Sequence, residues 1–140
     1  MFRYTLPFLT ILAGCAMSPA DQERQAAADA SARAQIASKL QGLEPGEPVS
    51  CISRTQVRQA DLLRGTILYH ASGDLIYRND LGRGCGNFDF DNDVLQTRST
   101  INQICAGDIF TTVSRADGHF TGSCSFGKFT PYRRAEGEEP

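Results

Sequence analysis

A chain of 140 residues carrying 14 Lys/Arg against 16 Asp/Glu, for a formal charge of −2, has room for one domain with a proper core and no more. Between Gly46 and Arg134 ten basic residues face nine acidic ones, while Glu136, Glu138 and Glu139 make the extreme C-terminus acidic. A basic excess of one is far below the footprint of a nucleic-acid binder, and that class is set aside.

The chain opens with Arg3, an apolar run and Leu12-Ala13-Gly14-Cys15. This looks like a bacterial lipoprotein signal, residues 1–14, ending in a lipobox. Ala13 and Gly14 are small enough for a signal peptidase, and the Cys15 thiol is the one side chain there able to carry a thioether-linked diacylglycerol. A membrane helix fails on length, because the twelve residues from Leu6 to Met17 fall short of the roughly 20 needed to span the hydrocarbon core. A plain secretory signal would end in an Ala-x-Ala-like site. Lipidation of Cys15, with palmitate among the acyl chains, predicts membrane attachment. Ala16 and Met17 in place of Asp favour the outer membrane, with the domain facing the periplasm.

Residues 15–47 are read as a lipidated N-terminus and an Ala-rich tether. Ser18-Pro19-Ala20-Asp21 is a helix start, and Gly42 and Pro45-Gly46 are stops. A helix from Ala20 to Gln41 would be about 33 Å long at the usual rise. Its large apolar residues are Ile36, Leu40 and Leu43, enough to dock one turn against a domain. The rest reads as a solvated, semi-rigid spacer.

From residue 48 to 134 short alternating runs separated by Gly, Asn and Asp predict an all-β domain, a small antiparallel barrel or sandwich of five to seven strands. The clearest hairpin is Gly65–His70 and Leu75–Asn79 around Ser72-Gly73, with Ile67 and Tyr69 on one face. Further strands are expected at Val49–Arg54, Asp93–Thr97, Ile109–Arg115, His119–Ser123 and Lys128–Thr130. Asp117-Gly118 makes the second hairpin turn, and Thr55–Arg64 reads as a turn or two of helix. Residues 135–140 form the acidic tail.

Besides Cys15, the chain has Cys51, Cys85, Cys105 and Cys124, an even set in an exported protein and therefore two disulfides. Spacings of 34, 20 and 19 positions contain no close pair of the kind a zinc site uses. Four cysteines allow three connectivities. The preferred one nests Cys85–Cys105 inside Cys51–Cys124, tying the first strand to the last; chain-entropy arguments give roughly 3 kcal/mol for the inner bridge and about 4.5 for the outer.

Candidate chemistry is sparse. Asp89-Phe90-Asp91-Asn92-Asp93 resembles a calcium loop, but Val94 and Thr100 stand where Gly and Glu are required, so a polar loop or a charged edge strand carrying Phe88 and Phe90 is the simpler reading. Gly82-Arg83-Gly84-Cys85-Gly86 lacks the Lys-Ser/Thr of a phosphate loop and reads as a turn around a disulfide. His70 and His119 have no neighbouring nucleophile in sequence, and Ser123-Cys124-Ser125 lacks a nucleophile elbow. No catalytic residue, metal or cofactor is assigned, and the chain is not expected to be an enzyme. Arg64, Tyr69, Tyr77, Arg78, Arg83, Tyr132, Arg133 and Arg134 are a basic and aromatic scatter able to meet a glycan or a protein, although Tyr77 and Arg78 must point to opposite faces.

Cys51-Ile52, Ile67-Leu-Tyr69, Tyr77-Arg-Asn-Asp-Leu81, Cys85, Cys105-Ala-Gly-Asp-Ile109 and Cys124-Ser-Phe-Gly-Lys-Phe-Thr-Pro131, in this order, resemble a family of small proteobacterial exported domains of unknown function. One departure is Cys85-Gly86-Asn87, where Cys-Pro-Gly is expected. The resemblance implies a lipid-anchored or periplasmic β domain with paired cysteines and carries over no catalytic residue. The expected function is therefore a non-enzymatic envelope lipoprotein binding an envelope protein or glycan; the alternative is a small-ligand or calcium-binding periplasmic domain using Asp89, Asp91 and Asp93.

Overall fold

The computed structural model describes residues 17–82, 84–85, 92–99 and 101–135. The lipobox and Cys15, Arg83, the 86–91 segment with Asp89 and Asp91, and the acidic tail lie outside the described residues. Helix α1 spans Pro19–Lys39. Ser18 caps it, its hydroxyl accepting the Asp21 amide at 3.2 Å, and Pro19 opens the first turn, where no N–H partner is needed. Asp21 in the first turn and Lys39 in the last oppose the helix dipole favourably, and Gly42 follows at φ 77°.

Ten strands follow among the described residues: β1 Glu44–Pro45, β2 Cys51–Ser53, β3 Gln59–Leu63, β4 Thr66–His70, β5 Ile76–Asp80, β6 Asp93–Thr97, β7 Gln103–Cys105, β8 Ile109–Ser114, β9 Phe120–Ser125 and β10 Phe129–Arg133. All pairings are antiparallel, in a five-stranded sheet ordered β1-β10-β5-β4-β3, a β2–β7 ladder and a three-stranded sheet β6-β8-β9. The sheets do not close into a barrel; they stack in sandwich-like layers, and the strands exceed the five to seven expected. The excess comes from three elements. Strand β1 lies inside the segment read as tether, β7 is a three-residue stretch in a polar run, and β3 occupies the segment read as helix. Strand β3 forms because Gly65, at φ 72°, closes a two-residue turn that pairs Leu63 with Thr66.

Strand β4 is buried on both faces, which is why Thr66-Ile-Leu-Tyr reads as a near-continuous apolar run. On one face Ile67 and Tyr69 join Ile52, Ile104, Phe110, Phe126 and Phe129 in the main core, between the five-stranded sheet and the two smaller ones. Tyr69 packs edge-on to Phe126 at 6.4 Å between ring centres, and Phe110 lies 4.7 Å from Phe126. On the other face Leu68 and Ile76 meet Ile36 of α1 and Leu40 at its C-terminal cap, with Leu43 alongside.

The C-terminal half of the helix is therefore part of the domain rather than a spacer. Docking reaches back beyond the single turn expected, because Ala32 is also buried and Asp29 binds Arg64 at 2.5 Å. Pro19–Ala27 remain exposed, about 14 Å of helix beyond the sheet.

The disulfides are Cys51–Cys105 and Cys85–Cys124, interlaced rather than nested. Strands β2 and β7 place Cys51 directly opposite Cys105, Cα atoms 4.0 Å apart, so the first bridge forms within the ladder. Cys124 sits on the core side of β9, opposite the fully buried Phe110, and reaches Cys85 on the loop after β5. One buried polar group fixes the end of the fold. Asn79, fully buried, donates to the Gly127 carbonyl at 2.7 Å and accepts the Gly127 amide at 3.1 Å. A Cβ at Gly127 would collide with the Asp80 carbonyl oxygen, so glycine alone fits there.

Candidate functional site

The densest polar cluster lies where α1 crosses β3 and β4. Asp61 points to the helix side of the sheet, and one carboxylate oxygen meets both Lys39 Nζ at 2.9 Å and His70 Nε2 at 2.7 Å. The other oxygen accepts from Gln59 Nε2 at 2.9 Å. His70 stands diagonal to Asp61 on this face, since Asp61 pairs with Leu68 and Gln59 with His70. Burial pushes the Asp61 carboxyl up, but hydrogen bonds from Lys39, Gln59 and His70 outweigh it and lower its pKa from 3.8 to about 2. Asp61 is thus a committed anion that ties the last turn of the helix to the sheet.

Beside this cluster an open groove of about 320 Å³ runs along β3, floored by Ala60, Asp61, Leu62 and Leu63. Gln35 and Lys39 of α1 line one part of it and Arg115, just after β8, another. The Arg115 amide is held by the Asn92 carbonyl at 2.7 Å, whereas its guanidinium makes no ion pair among the described residues. Asp61 neutralises Lys39, so among its described residues the groove keeps one net positive charge, at Arg115. Strand β3 is the outer strand of its sheet, and among the described residues no strand pairs with its free edge.

The residues singled out in the sequence are dispersed. Tyr69 and Tyr77 lie on the core side, and burial pushes the Tyr69 hydroxyl pKa up. Arg78 lies on the helix side and binds Asp80 at 2.9 Å; burial lowers its pKa, but Asp80 and Tyr132 raise it further. Arg64 is taken by Asp29 and Arg134 by Asp74, the latter at 3.2 Å. Arg133 and Arg134 line a hollow of about 410 Å³ with Glu44, Pro45 and Pro131, where the neighbouring acids Glu44 and Asp74 balance the two cations. The His119 ring pairs with exposed Asp117 in its own turn, at 2.5 Å. Asp93 is buried within β6, opposite Ser114, and is not an exposed loop ligand.

Sequence reasoning therefore named His70 but missed Asp61, Lys39, Gln35 and Arg115. A signal for the first existed: reading Thr55–Arg64 as a strand with Arg64-Gly65 as turn would have set Asp61 and His70 on one face. Nothing local points to Lys39 or Arg115, which arrive from separate elements. Compared with protein-family models, curated proteins and solved structures, the chain matches none.

Proposed function

We propose that the chain is a lipid-anchored, non-enzymatic module of the bacterial outer membrane that faces the periplasm and binds an envelope partner. The observation that carries the binding role is the groove along β3, where the Arg115 guanidinium, without an ion pair among the described residues, stands beside a strand edge that no described strand covers. The lipobox pattern around Cys15 supports the anchor, and the family resemblance of the Cys51–Pro131 stretch supports an exported β domain with paired cysteines.

Helix α1 starts four residues after Cys15 and is bound to the sheet by Ile36, Leu40 and two ion pairs. A lipid on Cys15 would thereby hold the groove at a roughly set height above the membrane. That arrangement suits recognition of something fixed in the same envelope.

The test is in-cell cross-linking of the intact lipoprotein, with adducts identified by mass spectrometry, beside metabolic labelling with a palmitate analogue. Label lost in Cys15→Ser and a reproducible protein or peptidoglycan adduct are expected. Persistent label without Cys15, or a folded, membrane-bound protein that yields no adduct, would overturn the corresponding half of the proposal. A calcium titration separates the alternative: no change in melting at millimolar calcium is expected.

A further inference from the structure

We infer that the free edge of β3 receives an extended acidic segment of a partner protein as an added strand. This names the partner class for the binding module proposed above and rests on that reading. Four consecutive residues, Ala60–Leu63, floor the groove, so what it offers is strand backbone and not a scatter of loop atoms. An outer strand leaves alternate N–H and C=O groups without a protein partner, and an incoming strand satisfies them without further rearrangement.

Of the other outer strands, β1 and β9 are poorer hosts. Strand β1 has two residues, one of them Pro45, which has no N–H to give. Strand β9 carries no charge from Phe120 to Ser125 and therefore exerts no charge selection on a partner. At β3 the selection comes from the walls. Lys39 and Gln35 stand on the helix side, and Arg115 reaches in from the three-stranded sheet.

Asp61, the one acid among the described residues of the groove, does not oppose an anionic partner. It is consumed by Lys39, His70 and Gln59, so that among the described residues the Arg115 charge is left uncompensated. A strand with carboxylates at alternate positions presents them all on one face, and with that face turned toward the three-stranded sheet they meet Arg115.

The probe is a fluorescent peptide, Thr-Glu-Val-Glu-Val-Glu-Thr, titrated into the full chain in detergent, with the same peptide carrying Lys for Glu as control. Saturable binding of the acidic peptide alone is expected, weakening with added salt. Arg115→Glu should weaken it at least about tenfold, because a like charge then faces the carboxylates. Gln35→Glu should weaken it less, and both substitutions sit on exposed side chains, away from the core. Hydrogen exchange should show slowed amides within residues 59–63 when the peptide is bound.

Equal binding of both peptides, an unaffected Arg115→Glu variant, or binding without protection of β3 would each overturn strand addition. Dextran sulfate competing with the peptide while leaving the β3 amides unprotected would do the same and assign the cations to an anionic glycan. A cross-linked envelope partner together with no peptide binding would sink strand addition alone and leave the binding role standing.

Discussion

The two faces of the five-stranded sheet are held by different forces. On the inner face three phenylalanines, Tyr69, Ile52, Ile67 and Ile104 are buried, and a disulfide links each of the two smaller assemblies, the β2–β7 ladder internally and β9 to the loop after β5. On the helix face the buried apolar residues are smaller, Ala32, Ile36, Leu40, Leu68 and Ile76, and ion pairs, Lys39–Asp61–His70 and Asp29–Arg64, share the contact. Apolar packing is indifferent to pH and salt, whereas partly exposed ion pairs are not. The helix is therefore expected to open before the core as pH or salt changes, and the groove it borders shares that sensitivity.

The strongest way to break the comparison is at the inner face. Phe110→Ala should cost about 4 kcal/mol by removing a fully buried ring that packs on Phe126, seen as loss of the whole unfolding transition in urea. Replacing either disulfide with serines should cost a similar amount, about 4 kcal/mol on the chain-entropy account for separations of 54 and 39 residues, read as a lowered melting temperature. If the helix unfolded and the strands persisted in either case, the ranking of the two faces would be reversed.

On the other face Ile36→Ala should cost about 2 kcal/mol, at the low end for a buried aliphatic because solvent can reach the vacated site. Hydrogen exchange should quicken in residues 28–40 before it quickens in β4. The smallest effect is electrostatic. Asp61→Asn should cost about 1 kcal/mol, since its partners are partly exposed.

The pH dependence sharpens the same contrast. The Asp61 carboxyl sits near 2 in the folded chain against an ordinary 3.8, so the stability it supplies is complete above 3.8 and is lost as pH falls toward 2. Helical circular dichroism should therefore fall across that window in the native chain, and the corresponding step should shrink in Asp61→Asn. A step of equal size in both would show that Asp61 does not govern docking.

Much of the local structure was legible from residues alone. Ser18-Pro19 announces the helix, Ser72-Gly73 and Asp117-Gly118 announce two hairpins at φ 70° and 73°, and Asp93–Thr97 was read as the strand it is. Each rests on interactions within a few positions, a cap, a left-handed glycine or a period-two alternation, which a linear pattern can express. Strand β3 was misread because Asp61 interrupts its apolar alternation, and the partners that satisfy it include Lys39, 22 positions away, and His70 on the next strand.

Tertiary structure alone decided the rest. The cysteines pair as Cys51–Cys105 and Cys85–Cys124 because the β2–β7 ladder and the placing of β9 bring those sulfurs together, and loop length has no say in it. The helix docks because two buried aliphatic residues find Leu68 and Ile76 on the face that β4 and β5 turn away from the main core, and the groove exists because α1, β3 and the end of β8 converge. A sequence records which side chains a strand or helix presents, and so it determined the turns and most of the elements. Which of those faces meet is set by how the sheets stack, a property of the whole chain at once.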